Sequence, residues 1–490
     1  MGTTPANMLF ILSDEHTRDV TGCYGHPFIK TPNLDRLAAR GTCFDAAYTN
    51  CPICVPARAS LHTGTYVAEN RCWDNAHPYD GSIRSWAHRL RESGHHTISI
   101  GKLHFRSAED DNGFVQELIP LHVVDGQGDL LGLIRSPIPA ARGGTADLAG
   151  SAGRGESTYA TYDRNIRDGA VKWLTEYAGR LDKPWCLFVS FVKPHFPLIA
   201  PPQFFDMYPV DRIPMPRLYG PDHEPTHPVV AAVRRCMNYD DAFTPDKVKV
   251  ALAAYYGMVS FLDDNIGQVL AALESSGLSA STRVIYSSDH GDNLGNRTLW
   301  GKSVQYEEAA AVPLILAGPG IPEGRRCATP VTLVDVYPTI VEGAGLALDD
   351  QERALPGRSL IDLAHHERPE RVAFGEYHAA GSITAMYLVR QGRWKYIHHV
   401  GYRPELFDLQ EDPGETRDRA LEDGHGDILT MMEAQLRKIV DPEAVNRNAF
   451  ADQQAKIERF GGVEALIERG DFGYSPAPGE KPVFATTLEA

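Results

Sequence analysis

Residues 7–16, NMLFILSDEH, contain the pattern that decides the fold class. Residues 8–12 form a continuous apolar run, which is typical of a strand covered on both faces of a sheet. Asp14 and Glu15 come just past the end of this run. Because ligands of α/β sheets bind beyond the carboxyl ends of the strands, the stretch predicts a buried first strand with functional groups at its end.

Similar apolar runs recur along the chain, with helical patterns between them. Further strands are predicted at HTISIG (96–101), WCLFVSFV (185–192), RVIYSS (283–288) and VPLILAG (312–318). Helices are predicted at 31–41, 159–181 and 245–276, and Thr31 with Pro32 gives the first of them a start signal. The alternation predicts an α/β fold with a large, mostly parallel sheet flanked by helices.

The pattern changes after residue 365. The segments VAFGEY, MYLVRQGRWKYI and ELFDLQEDPGE predict antiparallel strands with a turn at Gly392. We therefore expect a catalytic α/β domain at 1–365 and a smaller α+β domain at 366–490. The tail 472–490 is rich in proline and glycine, so we expect it to fray or to lie across a partner subunit of a homodimer or homotetramer.

Composition and charge exclude several classes of function. The chain has 490 residues, of which 43% are hydrophobic, and carries a net charge of -16. This acidity argues against a nucleic-acid partner, which usually requires a basic face. The N-terminal stretch has no basic region and only the short run 8–12, so we expect no signal peptide, no membrane span and a cytoplasmic location. Eight scattered cysteines then predict no disulfide framework.

Acidic residues follow two of the predicted strands. Asp14 and Glu15 follow the first, and SSDHGD places Asp289, His290 and Asp292 after another. Asp after a strand is often only a helix cap, but two such clusters favour an oxygen-rich metal site completed by one imidazole.

Basic residues follow other strands or the second acidic cluster. They are Lys102 and His104 in GKLHF, His195 in VKPHFP and Lys302 in WGKS. Singly, each is typical of a solvated surface charge or a satisfied histidine. Their common placement predicts one anion-binding pocket.

The stretch CPICVPARASLHTG, residues 51–64, contains two motifs that share Cys54. Read from Cys51 it is C-x-x-C, the spacing of a redox or metal-binding pair. Read from Cys54 it is C-x-P-x-R at the start of a helix, where N-H donors favour an anionic group and Arg58 lies one turn on. A thiolate is a soft ligand and poorly suited to a hard, carboxylate-rich metal site, so an oxygen-bearing group fits better at Cys54.

Together these motifs resemble those of the type I sulfatases of the alkaline phosphatase superfamily, in which C-x-P-x-R signals oxidation of the cysteine to formylglycine. The resemblance covers nearly the whole chain, through NMLFILSDEH, GCYGHPFIKTPNLDRLAARGTCFDAAYTN, CVPARASLHTG, GKLHF, FVKPHFP, SSDHGDNLG, LWGKS, GRWKYI and ELFDLQEDPGE. It implies an alkaline phosphatase-like fold and hydrolysis of an organic sulfate monoester to an alcohol and inorganic sulfate.

The resemblance also implies roles for single residues. Cys54 would become formylglycine, made by a formylglycine-generating enzyme. One hydroxyl of its hydrate would attack sulfur and displace the alcohol, and deprotonation of the other would expel sulfate and restore the aldehyde. The implied metal ligands are Asp14, Glu15, Asp289, His290 and the modified Cys54. The implied catalytic residues are Cys54, Arg58, Lys102, His104, His195 and Lys302. Arg58 would support the hydrate, His104 would be the base, and His195 or Lys302 would be the general acid. Asn75 would bind the substrate.

Departures from the family pattern leave the metal and the substrate open. Many sulfatases have Asp at the position of Glu15 and Asn at that of His290; calcium is the family expectation, with manganese or magnesium as alternatives.

Phosphonate monoester hydrolases share the formylglycine and the Asp-His pair but have Tyr and Thr where this chain has Lys102 and His104, which favours a sulfate ester. A redox or structural C-x-x-C protein is the third hypothesis. The aromatic residues Trp73, Trp300 and Tyr306 fit either a substrate subsite or packing.

Overall fold

The computed structural model describes residues 4–139, 142, 144–238 and 242–485. The strands are β1 (Asn7–Asp14), β2 (Gly41–Phe44), β3 (Ala47–Tyr48), β4 (His96–Lys102), β5 (Gln116–Leu121), β6 (Gly153–Arg154), β7 (Trp185–Pro194), β8 (Ile199–Ala200), β9 (Thr282–Ser288), β10 (Leu314–Ala317), β11 (Arg325–Cys327), β12 (Val331–Thr332), β13 (Val372–Tyr377), β14 (Met386–Gln391), β15 (Trp394–His399) and β16 (Glu405–Asp408). The helices are α1 (Pro32–Ala39), α2 (Cys54–Thr63), α3 (Val67–Asn70), α4 (Trp86–Glu92), α5 (Gly144–Ser151), α6 (Thr158–Glu176), α7 (Pro202–Phe205), α8 (Pro228–Met237), α9 (Pro245–Ser275), α10 (Glu307–Ala310), α11 (Val336–Gly343), α12 (Asp350–Ala354), α13 (Leu360–His365), α14 (Gly426–Ile439), α15 (Pro442–Arg459) and α16 (Val463–Arg469).

A large mixed sheet organises most of the chain. Its strand order is β11-β2-β10-β9-β1-β7-β4-β5. The pairs β9-β1, β1-β7, β7-β4 and β4-β5 are parallel, whereas β10 is antiparallel to both of its neighbours. The expected mostly parallel sheet is confirmed, and β10 is its antiparallel element.

Strand β1 lies in the middle of this sheet and is covered on both faces. Leu9 and Ile11 belong to the core cluster that includes side chains of α6 and α9. Met8, Phe10 and Leu12 belong to the cluster that includes α2, α4 and α11. All five side chains are fully buried, which explains why residues 8–12 show no polar alternation.

The parallel strands bring the sequence motifs to one edge of the sheet. Because β9, β1, β7 and β4 are parallel neighbours, their carboxyl ends lie side by side. The residues at or just beyond these ends include Asp289, Asp14, His195 and His104. The topology therefore assembles one site from segments far apart in sequence.

The C-terminal region contains a separate antiparallel sheet, as expected. Its strand order is β13-β14-β15-β16, and Gly392 lies in the turn between β14 and β15 with φ of 56°. Helix α14 packs on the sheet through Met432 and Leu436, which contact a cluster that includes Tyr387 and Val389. The domain boundary at 365/366 stays a prediction.

The tail departs from the fraying that the sequence suggested. Ser475 and Ala477 are buried, and Asp471 pairs with Ala485 through backbone hydrogen bonds of 2.9 and 2.7 Å. The expectation is therefore wrong for residues 472–477, which pack against their own chain; residues 486–490 lie outside the described part.

Two further observations concern the chain as a whole. Within the described ranges, no helix has both the length and the apolar character that crossing a membrane requires. All eight cysteines are free thiols in the structure.

Candidate active site

Helix α2 presents Cys54 to the sheet edge at its first residue. Ile53, with extended backbone, precedes it as the N-cap, and Pro56 lies in the first turn. The Cys54 Sγ lies 3.2 Å from His290 Nε2 and 3.7 Å from Asp14 Oδ1. The second reading of residues 51–64 thus places Cys54 within the acidic cluster.

The C-x-x-C reading finds no support in the environment of its two thiols. Cys51 is fully buried in the core cluster that includes Ile53 and Trp73. Burial raises the pKa of the Cys51 thiol well above its usual range, and burial together with Asp14 raises that of Cys54. A redox pair requires a stabilised thiolate, and neither thiol has one.

Four side chains surround a position suited to a cation. Asp14, Cys54, Asp289 and His290 each offer a ligand atom, and these atoms lie within 4.8 Å of one another. The Nδ1 of His290 donates to the Gly291 carbonyl at 3.0 Å. Since Nδ1 carries that proton, the bare Nε2 faces the carboxylates, in the tautomer that binds a metal.

Arg58 links the two aspartates of this cluster. Its Nε donates to Asp289 at 2.8 Å and its Nη2 to Asp14 at 3.0 Å, while Nη1 donates to the Lys102 carbonyl and the Ser190 hydroxyl. Arg58 is fully buried. Its direct contacts are thus with the carboxylates that flank Cys54.

Glu15 adds a carboxylate beside this cluster. Its backbone has a φ of 68°, and its carbonyl accepts a hydrogen bond from the Tyr255 hydroxyl at 2.6 Å. The Oε1 is buried without a hydrogen-bond partner among the described residues. Burial raises the pKa of Glu15 to about 8, although Lys302 opposes the shift. An orphaned, buried carboxylate oxygen fits a cation ligand.

Cationic side chains balance the acidic cluster. Lys102 Nζ lies 2.5 Å from Asp14 Oδ2, and Lys302 Nζ lies 3.1 Å from Glu15 Oε2. Burial alone would raise the pKa of Asp14, but Lys102 and Arg58 hold it well below its usual range. Residues of the predicted anion-binding pocket are therefore in direct contact with the predicted metal ligands.

His195 lies on the same side of the site. Its Nδ1 donates to the Phe196 carbonyl at 2.7 Å, and its Nε2 lies 3.4 Å from Glu15 Oε2. Burial and the neighbouring Lys302 hold the pKa of His195 well below its usual range. A neutral His195 with its proton on Nδ1 has only a bare nitrogen toward the pocket.

His104 follows strand β4 in a left-handed backbone conformation with φ of 59°. Its backbone N-H donates to the Leu121 carbonyl at 2.8 Å, and its Nε2 lies 2.8 Å from the Ser475 hydroxyl. The Nδ1 is buried without a partner among the described residues. Such strained conformations cluster at functional sites, because the surrounding contacts hold them in place.

Asn75 supports the start of α2. Its Oδ1 accepts a hydrogen bond of 3.1 Å from the backbone N-H of Val55. The amide Nδ2 is therefore the group left to donate to a ligand, and Asn75 lines the pocket.

A cavity of about 900 Å³ opens onto the site. It is lined by Cys54, Lys102, His195 and Lys302, with aromatic walls that include Trp300. Trp300 also stacks on Phe243 at 4.1 Å between ring centroids. The Trp73 indole N-H donates a hydrogen bond to Asp452, and the Tyr306 hydroxyl donates one to Glu405. Of these three aromatic residues, Trp300 is therefore the one that fits the predicted substrate subsite.

The structure brings every sequence-predicted site residue to the carboxyl edge of the sheet. Among the residues that contact them, Ser190, which binds Arg58, and Ser475, which binds His104, were not predicted from sequence. Ser190 lies within the apolar run of β7 and Ser475 lies in the tail, so no motif marks either residue.

The chain is similar to known proteins over most of its length. Residues 6–346 match the family model described as Sulfatase, and residues 295–441 match the model described as N-sulphoglucosamine sulphohydrolase, C-terminal. A choline-sulfatase of Rhizobium meliloti (strain 1021) is 32% identical over 429 residues, which cover 84% of this chain and 82% of the relative. Arylsulfatase K of Danio rerio is 30% identical over 468 residues, or 90% of this chain and 85% of the relative.

A solved structure shares the fold. The phosphonate monoester hydrolase of Agrobacterium radiobacter superposes with a TM-score of 0.70 at 24% identity, covering 89% of this chain and 95% of that chain. This likeness shows the architecture only. The family match over residues 6–346 goes further: the chain belongs to the sulfatase family and is a type I sulfatase, a hydrolase of sulfuric esters.

Proposed function

We propose that the chain hydrolyses an organic sulfate monoester with a formylglycine formed from Cys54 and one divalent metal ion. The observation that carries this proposal is the position of Cys54. Its Sγ lies at the first residue of α2 and 3.2 Å from His290 Nε2, inside a group of carboxylates. A soft thiol does not suit this group, whereas an oxygen at the same place would complete it.

The residues present fit a hard divalent cation. Asp14, Glu15, Asp289 and His290 would hold it together with an oxygen of the modified Cys54. Calcium is the first expectation, and the imidazole of His290 makes manganese or magnesium the alternatives. When bound, the metal would supply a Lewis acid and the formylglycine a nucleophilic hydroxyl.

The basic residues of the chain would bind and orient the sulfuryl group. The Lys102 and Lys302 ammonium groups lie on the carboxylates at the pocket wall, where they can also contact anionic sulfuryl oxygens. The Asn75 amide would add a neutral donor. Arg58 would hold Asp14 and Asp289 in place through its fork of hydrogen bonds.

Proton transfer would fall to Lys302 and His104. The Nδ1-H of His195 is committed to the Phe196 carbonyl, so His195 has no proton to donate toward the pocket in this arrangement. Lys302 retains ammonium protons beyond its contact with Glu15 and is the better general acid. His104 would be the base, because its Nδ1 has no partner among the described residues.

Two alanine variants test the role of Cys54 against the C-x-x-C hypothesis. Cys54→Ala should reduce turnover of an aryl sulfate to background, because the nucleophile precursor is removed. Cys51→Ala, which leaves C-x-P-x-R intact, is the matched control and should retain activity. Equal losses in both variants would support a working pair of thiols and contradict the proposal.

The second candidate function is hydrolysis of phosphonate monoesters on the same site. Two observations support this second function: the structural likeness to the phosphonate monoester hydrolase of Agrobacterium radiobacter and the presence of the Asp289-His290 pair. Purified enzyme assayed on a matched aryl sulfate and aryl phosphonate pair separates the two. We expect the larger kcat/KM for the sulfate, and a larger value for the phosphonate would reverse the assignment.

Metal binding has its own test at His290. His290→Ala should weaken the divalent metal by about 100-fold or more, because the bare Nε2 is lost. His366→Ala removes an exposed imidazole that is not among these ligands and is the control. Metal content per chain after dialysis against calcium, manganese or magnesium would measure both the effect and the preferred ion.

The remaining expectations complete the proposal. A formylglycine-generating enzyme would convert Cys54 during maturation, and the location would be the cytoplasm. The homodimer or homotetramer stays a prediction, which light scattering of the full chain would test.

A further inference from the structure

The C-terminal segment 471–485 forms part of the active-site wall. Its ends are joined by the two backbone hydrogen bonds between Asp471 and Ala485. Phe472, Tyr474 and Ser475 line the same cavity as Cys54. The tail therefore reaches the site from a position more than 350 residues beyond β4 in sequence.

Ser475 is the residue of this segment that contacts a site histidine directly. Its hydroxyl lies 2.8 Å from His104 Nε2, and its carbonyl accepts a hydrogen bond from the Tyr159 hydroxyl. Ser475 is only 7% exposed. Tyr159 is itself buried at the start of α6, so Ser475 is held from a rigid element.

His104 has two ring nitrogens in different environments. The Nε2 faces the Ser475 hydroxyl, whereas the buried Nδ1 has no partner among the described residues. Burial, with Lys102 and Arg58 adding to it, holds the pKa of His104 well below its usual range. The imidazole is then neutral and carries a single proton, and the group bound to Nε2 influences which nitrogen has it.

We propose that Ser475 is a positioning residue, which accepts the Nε2-H of His104 and so presents the bare Nδ1 to the group formed at Cys54. The inference deepens the proposed function, because it rests on His104 being the base. The hydrogen bond from the His104 backbone N-H to the Leu121 carbonyl holds the main chain of His104 in place. The contact between the Ser475 hydroxyl and Nε2 holds the imidazole ring. Together they leave Nδ1 as the nitrogen that takes up a proton.

If the contact between Ser475 and His104 were only structural, it would hold the C-terminal segment in place without influencing the protonation of His104. The two possibilities differ in the kinetic constants and in how variants combine. A positioning role lowers kcat with little change in KM, and its effect disappears once His104 is absent. Loss of tail packing would instead alter the pocket wall and therefore KM.

The test compares Ser475→Ala, His104→Ala and the double variant in the full-length protein. For an aryl sulfate we expect Ser475→Ala to lower kcat about 10-fold with KM within about twofold. We expect the double variant to match His104→Ala, because both changes remove the same proton acceptor. Ser475→Thr keeps a hydroxyl and should restore part of kcat.

Pro478→Ala is the matched control, since Pro478 is exposed in the same segment and does not line the cavity. Its kinetic constants should be those of the wild type. Formylglycine content and melting temperature of each variant exclude failed maturation or folding as the cause of a loss.

Three results would overturn the inference. Wild-type kcat in Ser475→Ala, or losses that multiply in the double variant, would show that Ser475 does not act through His104. Wild-type activity in His104→Ala would overturn the base role in the proposed function, and this inference with it. The single variants thus distinguish the two failures.

Discussion

At the scale of the residue, Arg58 explains how two carboxylates, a backbone carbonyl and a hydroxyl are held together in a buried space. Its guanidinium fork contacts Asp14, Asp289, the Lys102 carbonyl and Ser190. An ammonium is a point charge without this planar geometry, so lysine could not replace all four contacts. The arginine of C-x-P-x-R is therefore required by the shape of the site as well as by its charge.

Arg58→Lys should lower kcat/KM by about 100-fold or more and destabilise the fold by roughly 2 kcal/mol, because buried acceptors lose their donors. Arg40→Lys is the control, since Arg40 is half-exposed and forms a surface ion pair with Glu274 at 2.7 Å. Steady-state kinetics and urea unfolding measure the two effects. Wild-type kinetics in Arg58→Lys would show that charge alone is sufficient.

Single residues could be predicted where a motif marked them. Cys54, Arg58 and the Asp289-His290 pair stand in short, ordered motifs at strand ends, and the structure brings them together. Ser475 could not be predicted, because its contact with His104 depends on how the tail folds over the site. The orphaned Nδ1 of His104 and Oε1 of Glu15 are also properties of packing that no motif records.

At the scale of the element, the end of β4 shows how the backbone aims a functional side chain. Gly101 has a φ of 103°, and a Cβ added there would lie 2.2 Å from the Ser190 carbonyl oxygen. Lys102, the next residue, contacts Asp14. The glycine is thus needed both for its conformation and for the close approach of β7.

Gly101→Ala should destabilise the fold well beyond the ~1 kcal/mol typical of an unfavourable φ and should lower kcat by displacing Lys102. Gly25→Ala is the matched control, because Gly25 has a φ of 93° with no atom within 4 Å of the added Cβ. Urea unfolding of both variants isolates the steric contribution. Equal destabilisation of the two variants would mean that the close contact with β7 adds nothing to the loss in free energy of unfolding.

The elements themselves were predictable to different degrees. Buried strands such as β1 and β7 have unbroken apolar runs, and the structure confirms them with ends shifted by one or two residues. Strand β5, QELIPL, was missed because it lies at the sheet edge, is half-exposed and lacks such a run. The antiparallel direction of β10 depends on its pairing with β2 and β9, which the sequence does not reveal locally.

At the scale of the whole molecule, a buried ion network joins the C-terminal sheet to the region that follows Lys302. Lys395 of β15 lies 2.9 Å from Glu307 at the start of α10 and 2.7 Å from Glu415. Arg18, which lies beyond β1, also contacts Glu307 at 3.2 Å. The two sheets are therefore linked through charges that are buried at Lys395 and Glu415 and partly exposed at Arg18.

Lys395→Met should destabilise the protein by about 3 kcal/mol, because two buried carboxylates lose their shared cation. Lys438→Met, at an exposed position on α14, provides the comparison. Thermal unfolding followed by calorimetry measures the difference. An unchanged midpoint in Lys395→Met would show that the network contributes nothing to holding the sheets together.

We propose for the working molecule that a modified Cys54, and not a thiol, performs the reaction. Tryptic cleavage releases residues 41–58, which contain Cys54 together with Cys43 and Cys51. Fragment-ion mass spectrometry of this peptide from preparations of graded activity is the most direct measurement. We predict an aldehyde at position 54 whose fraction rises in proportion to aryl sulfatase activity, with Cys43 and Cys51 unmodified. A fully active preparation in which Cys54 is an unmodified thiol would contradict the account.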